Sequence, residues 1–138
     1  MKANEQLKNI FDAYKKGGDY KLLINDFVAG IIPSVAEKDP SWNIGAGNLI
    51  KAVVLSLLEN KDVRADDITI EKIKATLLMG ESMGEKYDSE NHKQAKLIKY
   101  FNAQSVECRQ LVDGVIGNAY NTFLNFICMV YTYLATVE

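Results

Sequence analysis

From Leu49 to Leu58 the chain reads LIKAVVLSLL, a stretch in which only Lys51 and Ser56 are polar. As a helix it would turn through nearly three turns with apolar side chains around most of its circumference. Such a helix cannot lie on a surface. It demands neighbours on every side, so the rest of the chain has to supply the layers that surround it. With 138 residues, 48% of them hydrophobic and 25% charged, the chain has the size and composition of one domain, residues 1–138, with a sizeable core.

The neighbours read as helices too. No strict two-residue alternation runs long enough to predict a strand, and glycine and proline punctuate the helical spacing. The first helix is expected from about Asn4, as N-cap, through Leu7, Ile10, Phe11 and Tyr14 to a stop at Gly17 and Gly18. The second begins at the cap Asp19 and ends before Pro33. Asp39 is expected to cap the third, with Pro40 in the first turn, where a missing N–H costs nothing. Gly45 and Gly47 lower its helicity, so a close helix crossing or a ligand near the backbone has to justify them. A fourth helix is expected over Thr69 to Met79 and a charged fifth over about Ser89 to Phe101, with the sixth taking the remainder. The fold class that follows is all-α, a bundle of about six helices around a central hydrophobic one.

The last segment, VIGNAYNTFLNFICMVYTYLATV, is long enough to span a bilayer. On a helical wheel, however, Asn118, Asn121, Thr122, Asn125, Thr132 and Thr136 share an arc of about 100°, while Val112, Val115, Ile116, Phe123, Phe126, Ile127, Val130 and Leu134 lie opposite. That pattern predicts an amphipathic core helix and no membrane insertion. Cys108 and Cys128, placed on one continuous helix, would stand about 30 Å apart, too far to bridge, and both read as small core hydrophobes. Without a disulfide framework or a signal-peptide pattern at the N-terminus, the expected setting is the cytoplasm.

Motifs for chemistry are missing. GAGNLI has half of a dinucleotide fingerprint but follows no strand and has no third glycine, and the glycine-lysine pattern of a P-loop occurs nowhere. His92 is the only histidine, set among charges with no HExxH or CxxC, and no motif pairs it with Cys108 as a nucleophile. No cofactor or metal is expected, nor any enzymatic activity. A net charge of -2 argues against a chain devoted to nucleic-acid phosphates, although a local basic face is compatible with it.

The stretch DYKLLINDFVAGIIPSVAEKDPSWNIGAGNLIKAVVLSLLE resembles the type IV secretion coupling proteins, the conjugative DNA-transfer ATPases. It has a helix, a short loop, a DP-x-W motif, small residues and a Leu/Ile-rich helix ending in Glu. NAYNTFLNFICMVYTYL is similar to the later helix that leads back toward the motor in that family, so the likeness runs from about Asp19 to Leu134. Asp39, Pro40 and Trp42 match the motif, whereas Ser41 replaces the aromatic residue common between proline and tryptophan.

The resemblance implies an excised all-α domain, inserted in the family between the Walker A and Walker B parts of a RecA-like ATPase. Such a domain selects the relaxase, accessory protein and DNA cargo for conjugative transfer. It implies a cytoplasmic location at an inner-membrane-anchored parent, a monomer in isolation and a hexamer only within the full ATPase. An unrelated cytoplasmic helical adaptor or regulatory module is the alternative. The surface expected to meet a partner is the fifth helix and its approach, where Lys86, Tyr87, His92, Lys93, Lys96 and Lys99 offer mobile cations and an aromatic anchor in an otherwise acidic protein.

Overall fold

A computed structural model describes residues 3–32, 41–78, 96–116 and 120–137. Among them are seven α-helices, one 3-10 turn and no strand: α1 Ala3–Lys16, α2 Tyr20–Ala29, α3 Ser41–Glu59, the turn Ala65–Asp67, α4 Ile70–Leu78, α5 Lys96–Asn102, α6 Val106–Ile116 and α7 Tyr120–Ala135. The expected all-α bundle is what the described residues form.

Several boundaries have a visible chemical cause. Gly17 ends α1 in the left-handed region at φ 74°, where the Gly18 N–H reaches back to the Ala13 carbonyl at 2.8 Å and the Gly17 N–H to that of Tyr14 at 3.4 Å. Asp19 caps α2 by accepting from the Leu22 N–H at 3.2 Å. Thr69 accepts from the Lys72 N–H at 3.1 Å, while the Ile70 N–H donates to Asn4 Oδ1 at 2.9 Å. Asn4 is therefore not the cap of its own helix. It lies inside α1 and satisfies a free donor at the start of α4, tying together two elements far apart in sequence.

The expected sixth helix is two. Its first half, α6, is capped by Ser105, whose hydroxyl accepts from the Cys108 N–H at 3.2 Å, and it ends at Ile116, before α7 begins at Tyr120. The cysteines consequently stand on different helices, and they differ in setting: Cys108 is buried and Cys128 exposed. Cys128 is not the core hydrophobe expected of it.

At the centre stands α3, packed against α2, α4, α6 and α7. Leu49, Ile50, Ala52, Val53, Val54, Leu55, Leu57 and Leu58 are each at most 4% exposed, which places buried side chains all round the helix. At roughly 1.5–3 kcal/mol for each fully buried large aliphatic side chain, this one helix carries a large share of the driving force for folding. On α7 the apolar stripe Phe123, Phe126, Ile127, Val130 and Leu134 is buried while Asn125 and Thr132, and Thr136 just past its end, face out, the expected amphipathic pattern for this part of the segment; Asn118 lies outside the described residues. Among the described residues no helix is long and apolar enough to cross a membrane.

Candidate functional site

Asp39, Pro40, Lys86, Tyr87, His92 and Lys93 lie outside the described residues, so of the expected motif and surface Trp42, Lys96 and Lys99 remain to be placed. Trp42 enters α3 half-buried, its ring 4.6 Å from that of Phe126 on α7 at a 38° tilt. The Phe126 ring fills the space a side chain at position 45 would need: a Cβ on Gly45 would lie 2.5 Å from Phe126 Cε1. A Cβ on Gly47 would lie 3.2 Å from Val28 Cγ1 on α2. The two glycines are thus explained by close approach of side chains from α7 and α2, and neither is left over for a bound phosphate.

The other end of α3 carries polar groups. Ser56, 1% exposed, donates to the Val53 carbonyl at 2.7 Å and accepts from the Tyr100 hydroxyl of α5 at 2.6 Å. Ser105 donates to Glu59 Oε1 at 2.9 Å. The Cys108 thiol donates to the Ala52 carbonyl at 3.2 Å, and burial, helped by the charges of Glu59 and Glu107, pushes its pKa up to about 12. A thiol held neutral and turned onto a backbone carbonyl is no nucleophile at physiological pH. Burial also raises the Tyr100 hydroxyl above the usual phenol range, against the lowering effect of its bond to Ser56. These groups are each other's partners and serve packing. Among the described residues no three His, Cys, Asp or Glu side chains come together to hold a metal ion.

Two surfaces can meet another molecule. On α5, Lys96 and Lys99 are exposed while Leu97, Ile98 and Phe101 are buried, so two of the expected cations share the outer face one turn apart. The second surface is a cavity of about 170 Å³ between α2, α3 and α6. Ile24, Leu55 and Leu111 supply apolar lining beside Tyr20, Asn25, Lys21, Lys51 and Glu107. Lys21 Nζ lies 2.7 Å from Glu107 Oε1 across the groove, and that bond raises the ammonium's pKa. None of the groove residues belongs to the surface expected from sequence. The signal was Lys51, the one cation in the Leu49–Leu58 stretch, whose other side chains are buried.

Comparison with family models, curated proteins and solved structures gives no match.

Proposed function

We propose that the chain is a non-catalytic recognition domain of a type IV secretion coupling protein, acting at the cytoplasmic face of the membrane to select relaxase, accessory protein and DNA cargo. The observation that carries this reading is the sequence Asp39-Pro40-x-Trp42 leading into a helix buried all round, with Trp42 stacked on Phe126 of the last helix. A motif that places one aromatic ring on the element closing the bundle gives a rigid body, and a rigid body can present a polar face reproducibly. The exposed Lys96 and Lys99 are the described part of that face.

The test is a titration of the chain with a conjugative relaxase, its accessory protein and single-stranded DNA at low and moderate salt. Saturable binding to one of them that falls as salt rises, and falls further in Lys96→Glu/Lys99→Glu with unchanged helicity, is the expected result. Lack of binding to all three overturns the reading and favours an unrelated helical adaptor.

A further inference from the structure

The two polar side chains within the Leu49–Leu58 stretch have different fates. Ser56 is satisfied inside the protein by Val53 and Tyr100. Lys51, half-buried, opens into the α2–α3–α6 groove and, among the described residues, makes no ion pair. The groove's other cation, Lys21, is already matched by Glu107 at 2.7 Å. Lys51 is therefore an ammonium facing an apolar lining formed by Ile24, Leu55 and Leu111, with no carboxylate of its own among the described residues.

We propose that this groove docks a partner peptide bearing a carboxylate side chain next to an aliphatic one, the carboxylate meeting Lys51 and the aliphatic group lying on Leu55 and Leu111. Charge complementarity selects the occupant. With Lys21 and Glu107 cancelling, the described lining of the groove keeps one uncompensated positive charge, and a ligand that is only apolar leaves that charge to be desolvated without return. Half-burial makes the pairing stronger than a fully exposed bridge, because less water screens it. Glu107 opposes an incoming acid, so its removal tightens binding. The inference is independent of the coupling-protein reading, since it invokes only groove residues and no relaxase or DNA.

The test is an amide-resolved NMR titration of the chain with a capped Ala-Leu-Glu-Leu-Ala peptide and its glutamine counterpart, Ala-Leu-Gln-Leu-Ala. The acidic peptide should produce saturable shifts at Asn25, Lys51, Leu55 and Leu111, with the glutamine peptide weaker by about fivefold, the size of one partly exposed ion pair. Lys51→Met should abolish the difference between the peptides, and Glu107→Gln should tighten the acidic one. Equal affinity of wild-type protein for both peptides overturns the proposal even if Lys51→Met fails to fold. So do shifts confined to α5, and so does 4-methylpentanoate binding as tightly as the peptide, which would make the groove a site for small carboxylates.

Discussion

The start of α3 is fixed by shape and its end by hydrogen bonds. At the start, Trp42 and the missing side chain of Gly45 enclose one ring, Phe126. At the end, Ser56, Glu59, Tyr100, Ser105, Cys108 and the Ala52 carbonyl form three hydrogen bonds between α3 and the α5–α6 region. The difference teaches how each end should fail. A shape fit is lost when volume changes, by several kcal/mol, whereas hydrogen bonds with water as competitor are worth about 1 kcal/mol each and fail by leaving a partner stranded.

The largest effect is expected at Phe126. Truncation to Ala should cost about 3–5 kcal/mol in urea unfolding, the range for a buried phenylalanine. Trp42→Ala should cost less, about 2–3 kcal/mol, because the indole is half-buried and loses its ring partner together with only part of a core contact. Gly45→Ala decides between two effects: helix propensity favours alanine by about 1 kcal/mol, while a Cβ at 2.5 Å from Phe126 Cε1 brings overpacking of about 1–3 kcal/mol. The net expectation is a loss of up to about 2 kcal/mol, and combining it with Phe126→Leu should recover part of it. Additive losses in the double variant would mean that the ring and the glycine do not share one space.

This end of the helix was legible because its devices are residue types. Two glycines inside an apolar helix pattern require a close approach, and the polar arc on α7 marks which face Phe126 lies on. The other end was not. Ser56, Tyr100 and Cys108 carry no spacing signal, since their partners are 44 and 56 residues away, and such pairing is set by tertiary packing. The break between Ile116 and Tyr120 was missed because buried apolar residues continue on both sides of it, from Val112 and Val115 on α6 to Phe123, Phe126 and Ile127 on α7. Asn4 was assigned to the nearer helix because a cap is normally local; here it reaches α4 instead. The groove was hidden because Lys51, Lys21 and Glu107 come from three helices, and only packing brings them together.

A smaller effect tests the hydrogen-bonded end. Ser56→Ala strands the Tyr100 hydroxyl and should cost about 1–2 kcal/mol, and Tyr100→Phe, which leaves Ser56 still donating to Val53, about 1 kcal/mol. The double variant should cost less than the sum, because no partner is left unsatisfied. Strict additivity in denaturant unfolding would show that the two hydroxyls are not coupled, and the contrast between the two ends of α3 would weaken.

The smallest effect near neutral pH is the most selective, and it separates the two thiols. Cys128 is exposed and should react with iodoacetamide in native protein, while Cys108 should react only after unfolding. The same burial gives a pH dependence whose sign is fixed. The Cys108 pKa rises from 9.0 to about 12 on folding, so the unfolded chain releases this proton first as pH rises. Stability from the neutral thiol is complete below about pH 9 and is lost progressively toward pH 12. Tyr100, also raised, adds a loss in the same direction from its ordinary value of 10.0 upward. Cys108→Ala should therefore remove the decline that begins near pH 9 but keep the part that sets in above pH 10, as read by urea midpoints across the alkaline range. If the variant declines from pH 9 as steeply as wild type, or if both thiols alkylate at equal rates in native protein, Cys108 is not sealed against α3 and the hydrogen-bonded end is looser than its geometry implies.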